Sequence, residues 1–324
     1  MNDVIKALKK SKRVAIISHV SPDPDCMGSM TALSCILKSM GKEVKMFNDT
    51  KTLSPELLYF NLPEDLSVDL NPEDFDTLVS VDLPSKRQLG KYSEVFCKFD
   101  NTVSIDHHSS RDLIAKYMYV DNTSSSCAEI ILQLALKMNV SITKEIANYL
   151  FAGLIGDTNC FENDNVNINT HKHAMALYEL GADTKEIIFI IHKHIPEKYL
   201  KLKRMVYENI TTVSDIAYFI FTRKMQKEIG TDDIGNMTNE ILNIGDNKIS
   251  FIIKQKEKNV YTVGFRCKYG YDVSKVAMKY GGGGHTQASG MMFVGSPQKH
   301  LKSILNDCLN EIKEKDNVWK KCNC

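Results

Sequence analysis

The sequence lacks the features of a membrane protein, a secreted disulfide scaffold or a repeat protein. No apolar run approaches the roughly 20 residues of a membrane span, and the N-terminal MNDVIKALKKSKR has no apolar core of the kind a secretory signal needs. Its nine cysteines contain no CxxC pair. We therefore expect reduced thiols in a cytoplasmic protein that has no membrane partner.

The sequence also lacks an excess of either charge. Lys plus Arg is 41 and Asp plus Glu is 40, a net charge of +1, which argues against a protein that coats long nucleic acid by charge alone. The balance is uneven, with 17 basic and 12 acidic residues from Val213 to Cys324 and 24 basic and 28 acidic residues before it. This pattern favours an acidic first half that holds metal and a basic second half that holds phosphate.

Polar side chains crowd one stretch near the N-terminus. Val14 to Ile17 is apolar and predicts a buried strand, and His19, Asp23 and Asp25 follow it in a loop before a helix predicted from Ser29 to Met40. In α/β folds ligands lie outside the carboxyl ends of the strands. An imidazole and two carboxylates at such a place indicate a bound divalent cation.

Two further apolar strands end in the same kind of side chain. Thr77 to Val81 ends at Asp82, and Thr102 to Ile105 ends at Asp106, His107 and His108. A predicted helix from Thr143 ends near Asp157. Because parallel strands end at one edge of a sheet, we expect these side chains to lie together on the rim of an α/β domain.

The rest of the chain predicts a second, smaller domain of mixed α/β structure. A length of 324 residues favours two domains, and we place the first at 1–195, a helical linker at 196–212 and the second at 213–324. The pattern predicts further helices and strands, and one irregular segment. They are helices at 124–138, 170–180, 185–204, 233–242, 273–280 and 298–314, strands at 44–47, 216–222, 249–254, 260–267 and 291–294, and irregular structure at 53–74.

Eight rim residues form the candidate metal site. Carboxylate and imidazole ligands without thiolate suit Mn²⁺ or Mg²⁺ better than structural zinc. The set is too large for one ion, and two ions about 3.5–4 Å apart that share a carboxylate activate a bridging hydroxide for in-line attack on phosphorus. The residues are His19, Asp23, Asp25, Asp82, Asp106, His107, His108 and Asp157.

A second candidate site lies near the C-terminus. Gly281 to Gly284 precede His285, and a run of backbone N–H groups without side chains can cradle a phosphate. Arg266 ends the predicted strand before it, and arginine grips phosphate with two hydrogen bonds. The alternative for the glycines is a flexible turn, and the arginine favours phosphate binding.

These motifs together resemble the DHH phosphoesterases. HVSPDPDCMGS is similar to the first motif of that family, Asp82 in SVDLPS to the second, Asp106-His107-His108 to the motif that names it and Asp157 in GLIGDTNCF to the fourth. GGGGHTQASG and Arg266 resemble the DHH-associated C-terminal domain. The compact layout resembles the nanoRNase and oligoribonuclease (NrnA-like) branch, which also has 3′-phosphoadenosine-5′-phosphate (pAp) phosphatase activity.

The resemblance implies a role for each residue. It implies one metal held by His19, Asp23 and Asp82 and another held by Asp25, Asp82, His107 and Asp157, with Asp82 bridging. It implies that Asp106 orients a neighbouring imidazole and that His108 contacts the substrate phosphate or donates a proton. It also implies an active site between the domains, with substrate bound by Arg266, Gly282, Gly283, Gly284 and His285.

The resemblance implies a hydrolase of short 5′-phosphorylated oligoribonucleotides such as pApA, acting also on pAp. A homodimer is compatible with the sequence, which does not determine the oligomeric state. The alternatives are a cyclic di-AMP phosphodiesterase, a pyrophosphatase or polyphosphatase, a RecJ-like exonuclease and a catalytically silent dinucleotide sensor. Departures from the family pattern touch mainly the substrate side rather than the metals. They are Cys267 in place of serine, Thr286 and Gln287 in place of a basic residue and Asn159 in place of glycine.

Overall fold

We describe a computed structural model of the chain over residues 1–20, 22–50, 57, 66–109, 112–194 and 197–322. The chain divides into two compact units, Met1–His194 and Ile195–Cys324. The irregular structure predicted at 53–74 lies largely outside the described residues. None of the described helices is both long enough and apolar enough to cross a membrane.

The first unit is built on a six-stranded parallel sheet in the order β3-β2-β1-β4-β5-β6. Strands β1, β4 and β5 are neighbours, so the residues that follow them share one edge of the sheet. The strands are β1 Arg13–Ile17, β2 Glu43–Phe47, β3 Leu66–Ser67, β4 Thr77–Val81, β5 Thr102–Asp106 and β6 Tyr117–Val120.

Apolar side chains project from both faces of this sheet, and each face is covered by a hydrophobic core. Val14 and Ile16 of β1 pack into the larger core with the long helices, whereas Ala15 and Ile17 pack into a smaller core on the opposite face. The helices of the unit are Asn2–Lys10, Pro24–Ser39, Ser93–Phe96, Cys127–Met138, Lys144–Asp157, Ile168–Glu179 and Thr184–Ile188, with 3₁₀ turns at Pro72–Asp74 and Lys86–Tyr92 and a π-helical turn at Phe189–Lys193.

The second unit has a mixed six-stranded sheet in the order β11-β12-β10-β9-β8-β7. One face packs on the C-terminal helix, and the other packs on the helices Glu197–Asn209, Arg223–Ile229 and Met237–Leu242. The strands are β7 Thr211–Val213, β8 Ile216–Phe221, β9 Ile249–Glu257, β10 Val260–Cys267, β11 Gly283–Gly284 and β12 Ala288–Val294. The helices are Glu197–Asn209, Arg223–Ile229, Met237–Leu242, Val273–Met278 and Pro297–Cys322.

The predicted α/β class, with a parallel sheet followed by a mixed α/β unit, is confirmed. Two local predictions are wrong, and other elements were not predicted. The helix predicted from Ser29 begins at Pro24, so Asp25 lies in a helix and not in a loop. The helix predicted over 185–204 is broken by the π-helical turn Phe189–Lys193, and strand β6 and the helix Arg223–Ile229 were not predicted.

Candidate functional site

Asp82 lies at the centre of the rim, immediately after β4. Its backbone is left-handed, with φ of 51°, a conformation that costs energy in a residue other than glycine and is concentrated at functional sites. The carboxylate is buried, with Oδ2 3.5 Å from His19 Nε2 and Oδ1 3.4 Å from His107 Nε2. One carboxylate therefore faces the imidazoles that follow the two neighbouring strands.

His19 and His107 present the same nitrogen to the carboxylates. Nδ1 of His19 lies 3.0 Å from the Val20 carbonyl oxygen, and Nδ1 of His107 lies 3.4 Å from the Ser124 carbonyl oxygen. With a proton on each Nδ1 donated to these carbonyls, Nε2 is the nitrogen that would coordinate a cation. Nε2 of His19 also lies 3.6 Å from Asp23 Oδ2.

Asp25 is fully buried where two helices begin. It lies in the first turn of the helix Pro24–Ser39, and its carboxylate accepts the backbone N–H of Cys127 at 2.6 Å and of Ala128 at 2.9 Å. These amides open the helix Cys127–Met138, and helix N-termini favour anions. No local sequence pattern indicates this contact, because the partners are 102 and 103 positions apart.

Asp157 ends the helix Lys144–Asp157 and faces His107. Its Oδ2 lies 3.1 Å from His107 Nε2. Its carbonyl oxygen accepts the side-chain amides of Asn163 at 2.8 Å and Asn165 at 3.2 Å. Asn165 also donates to the Ser125 carbonyl at 2.8 Å. Sequence reasoning missed both asparagines, although the polar run after Asp157 was a signal that the segment folds back on itself.

Asp106 contacts both of the histidines that follow it. Its Oδ1 accepts the backbone N–H of His107 at 2.9 Å and lies 2.7 Å from His108 Nδ1. Asp106 is fully buried, whereas about a fifth of the His108 side chain is exposed. The buried Asp106 carboxylate therefore orients the partly exposed His108 ring.

The donor set fits a cation. Burial opposes ionisation of Asp82, but the contacts with His107 and His19 outweigh it and hold its pKa well below the usual range. Its Oδ1 is enclosed, yet it accepts no hydrogen bond within the described part of the chain, which leaves an oxygen for a metal. Three triads have ligand atoms within 4.8 Å of one another: His19, Asp23, Asp82; Asp25, His107, Asp157; and Asp82, His107, His108.

In the second unit, Arg266 and the glycine run lie on the two strands that flank β12. Arg266 of β10 pairs with Ala288 of β12, and β11 (Gly283–Gly284) pairs with the same strand. A β-carbon on Gly282 would lie 2.2 Å from the Gly290 carbonyl oxygen, and Gly284 has φ of 136°. Glycine is therefore needed at both positions.

His285 continues this segment, and its backbone N–H donates to the Ala288 carbonyl at 2.8 Å. The Arg266 guanidinium donates to the Phe265 carbonyl at 2.9 Å, and burial lowers the pKa of Arg266. Gly283 and Gly284 therefore belong to an ordered strand, and Arg266 lies on the strand at the other side of β12.

A parallel sheet with this rim, followed by a mixed-sheet unit, is the arrangement predicted for a metal-dependent hydrolase of phosphoester bonds. The chain belongs to the DHH family: the DHH family N-terminal domain matches residues 13–154 and the DHHA1 domain matches residues 215–314. The predicted family and enzyme class are thus confirmed.

Curated relatives match over nearly the whole chain. The "Bifunctional oligoribonuclease and PAP phosphatase NrnA" of Mycoplasma genitalium is 29% identical, covering 96% of this chain and 98% of its own. The Bacillus subtilis protein of the same name is 25% identical, covering 89% and 91%.

Solved structures share the fold. An exopolyphosphatase-related protein from Bacteroides fragilis superposes with a TM-score of 0.86 at 22% identity, over 97% of both chains. RecJ from Thermus thermophilus in complex with Mn²⁺ gives a TM-score of 0.52 at 12% identity, over 94% of this chain and 53% of that one.

Proposed function

We propose that this chain is a two-metal phosphoesterase that hydrolyses short 5′-phosphorylated oligoribonucleotides, such as pApA, to mononucleotides, and also converts pAp to AMP. The observation that carries the proposal is the position of Asp82 at the edge where three parallel strands end: Oδ2 faces His19 and Oδ1 faces His107, which belong to separate groups of candidate ligands. The names of the curated relatives, oligoribonuclease and PAP phosphatase, support the substrate class.

We assign His19, Asp23 and Asp82 to one divalent ion and Asp25, Asp82, His107 and Asp157 to the other. The oxygen and imidazole donors favour Mn²⁺, with Mg²⁺ as the alternative. Such a pair of ions supplies a nucleophilic hydroxide and neutralises charge that develops on the phosphate. The imidazoles contribute Nε2, and Asp25 is held in place by the amides of Cys127 and Ala128.

His108 acts on the substrate rather than on the metals in this proposal. Its contact with Asp106 at 2.7 Å fixes the ring, and a carboxylate beside an imidazole favours its protonated form. Burial opposes that form, but Asp106 and Asp82 outweigh it and raise the pKa of His108. A cationic His108 would bind a phosphate oxygen and could donate a proton to the leaving group.

The second unit supplies substrate binding. Arg266, Gly282, Gly283, Gly284 and His285 would line the site for a terminal phosphate, with the Arg266 guanidinium as its hydrogen-bond donor. A chain with a net charge of +1 suits a short substrate and not a long strand. In this proposal residues 1–195 form the catalytic domain and residues 213–324 form the substrate-binding domain.

Product analysis tests the proposal. The purified chain with Mn²⁺ is given pApA, pAp, cyclic di-AMP and a longer 5′-phosphorylated RNA, and the products are separated by chromatography. We expect AMP from pApA and pAp, and slower release of mononucleotides from the longer RNA. Hydrolysis of cyclic di-AMP in preference to pApA would replace the proposal with a cyclic dinucleotide phosphodiesterase. Binding of pApA without turnover would indicate a silent sensor.

A further inference from the structure

A strained turn directly follows the candidate ligand Asp157. Asn159, Cys160 and Phe161 are consecutive residues other than glycine with left-handed φ of 46°, 59° and 69°. Such conformations persist only where the surroundings impose them, and they gather at functional sites. Here Thr158 imposes the turn, because its hydroxyl accepts the Phe161 N–H at 3.2 Å and its carbonyl accepts the Glu162 N–H at 2.9 Å.

The turn fixes an aromatic stack at the protein surface. The Phe161 ring packs against the core of the first unit on one side. His171, from the helix Ile168–Glu179, stacks on it with ring centroids 5.2 Å apart and an angle of 21° between the planes. His171 is itself exposed, so its flat ring faces solvent while Phe161 supports it from the core side.

Apolar side chains flank this ring on the helix. Ile168 is 67% exposed and Met175 is 59% exposed, and their spacing of three before and four after His171 puts all of them on one helix face. Exposed isoleucine and methionine beside a stacked imidazole form a surface that favours a flat, partly apolar ligand. We call Phe161, Ile168, His171 and Met175 the His171 platform.

We propose that the His171 platform stacks a nucleobase of the substrate whose phosphate is bound at the metal site. The proposal rests on the proposed function. Phe161 is only four residues from Asp157, so even an extended chain would separate them by no more than about 14 Å, and the turn shortens this. A base joined through its ribose to a phosphate near Asp157 is within that range.

The chemistry of the platform predicts what it recognises. Single-stranded nucleic acids are bound by stacking of bases on aromatic and histidine rings, and this contact tolerates any base because each has a π-face. We therefore expect affinity for bases in general, stronger for the larger purines.

The test compares His171→Ala with His171→Phe, which keeps a flat ring. Glu179→Ala, at the exposed end of the same helix, is the control. Each variant is assayed with Mn²⁺ on pApA, on 5′-phosphorylated dinucleotides that lack either base, and on bis(4-nitrophenyl) phosphate. One stacked base corresponds to about a 5- to 150-fold change in affinity.

We expect His171→Ala to raise the KM for pApA within that range at nearly constant kcat. His171→Phe restores the KM, and hydrolysis of bis(4-nitrophenyl) phosphate is unchanged in every variant. An unchanged KM for pApA in His171→Ala, or equal losses on pApA and bis(4-nitrophenyl) phosphate, overturns the platform. If the wild-type chain hydrolyses none of these substrates, the proposed function itself fails, so the two failures are distinct.

Discussion

Gly153 leaves the space that the carboxylate of Asp25 occupies. A β-carbon at position 153 would lie 2.7 Å from Asp25 Oδ1 and 2.8 Å from the β-carbon of Ala128. Oδ1 cannot move aside without loss, because it accepts the N–H of Ala128 and the hydroxyl of Ser29. The absence of a side chain on one helix therefore determines where a candidate metal ligand on another helix can lie.

Gly153→Ala should lower the free energy of unfolding by about 1–3 kcal/mol, the usual effect of overpacking, although alanine is favoured over glycine inside a helix by about 1 kcal/mol. Affinity for Mn²⁺ should fall as well. Urea unfolding with chelator and calorimetric titration with Mn²⁺ measure the two effects. Gly264→Ala is the control, because a β-carbon there meets nothing within 4 Å. Equal stability of the two variants would contradict the account.

Asn165 connects the segments that carry His107 and Asp157. Its side-chain amide donates to the Ser125 and Asp157 carbonyls, and the neighbouring Ser124 carbonyl lies against His107 Nδ1. Because partners of this kind typically contribute 10- to 100-fold to metal affinity, Asn165→Ala should raise the Mn²⁺ Kd by about that factor. Saturating Mn²⁺ should restore most of the turnover.

Asn169→Ala, on the exposed part of the following helix, is the matched control for this change. A Mn²⁺ Kd that stays at the wild-type value in Asn165→Ala, measured by calorimetry, would show that the amide does not position the ligands.

Arg266→Lys tests the phosphate-binding role proposed for the second unit. Lysine keeps the charge but loses the two-pronged donor geometry, so the KM for pApA should rise about tenfold while kcat changes little. Lys258→Ala, an exposed cation in the turn after β9, is the control for general charge. A KM in Arg266→Lys equal to that of the wild type, at unchanged thermal stability, would remove Arg266 from the substrate site.

Lys254 predicts a pH dependence of stability. Its side chain is mostly buried on β9 and Nζ donates to the Asp232 carbonyl at 2.9 Å. Burial, with a smaller effect of Lys256, lowers the pKa of Lys254 to about 8. An unfolded lysine titrates near 10.4, so between these values the unfolded chain binds more protons and stability rises with pH.

Lys254→Met removes this contribution. The variant should therefore be more stable than the wild type at pH 7, and the difference should shrink by about 3 kcal/mol by pH 10.5. Urea unfolding at both pH values measures it, and other groups that titrate in this range cancel in the comparison. A difference that does not vary with pH would contradict the assigned shift.

The central position of Asp82 could be predicted from the sequence, because parallel strands end at one edge and an aspartate directly follows the middle one. The early start of the helix at Pro24 was also readable: Asp23 accepts the N–H of Cys26 as the N-cap, and Pro24 occupies the first turn. A helix that starts only at Ser29, after Gly28, misses this signal.

Other parts of the site could not be predicted. Asp25 depends on amides at the start of the helix Cys127–Met138, and such a contact follows from tertiary packing and not from local pattern. Strand β6 has four residues that are only partly buried or exposed. A strand this short, with no buried face, shows no alternation of apolar and polar residues from which it could be predicted. The stack of Phe161 on His171 depends on the left-handed turn, which residues other than glycine rarely form.

The most direct test of the shared-ligand account is metal stoichiometry in Asp82→Asn. Native mass spectrometry counts Mn²⁺ per chain, and hydrolysis of pApA is followed in parallel. Asp121→Asn is the control, because Asp121 follows β6 at the same edge but its carboxylate is occupied by Thr123 and Ser124. We predict two ions in the wild type and the control, and at most one in Asp82→Asn with hydrolysis lowered at least about 1,000-fold. Two bound ions and wild-type turnover in Asp82→Asn would contradict the account.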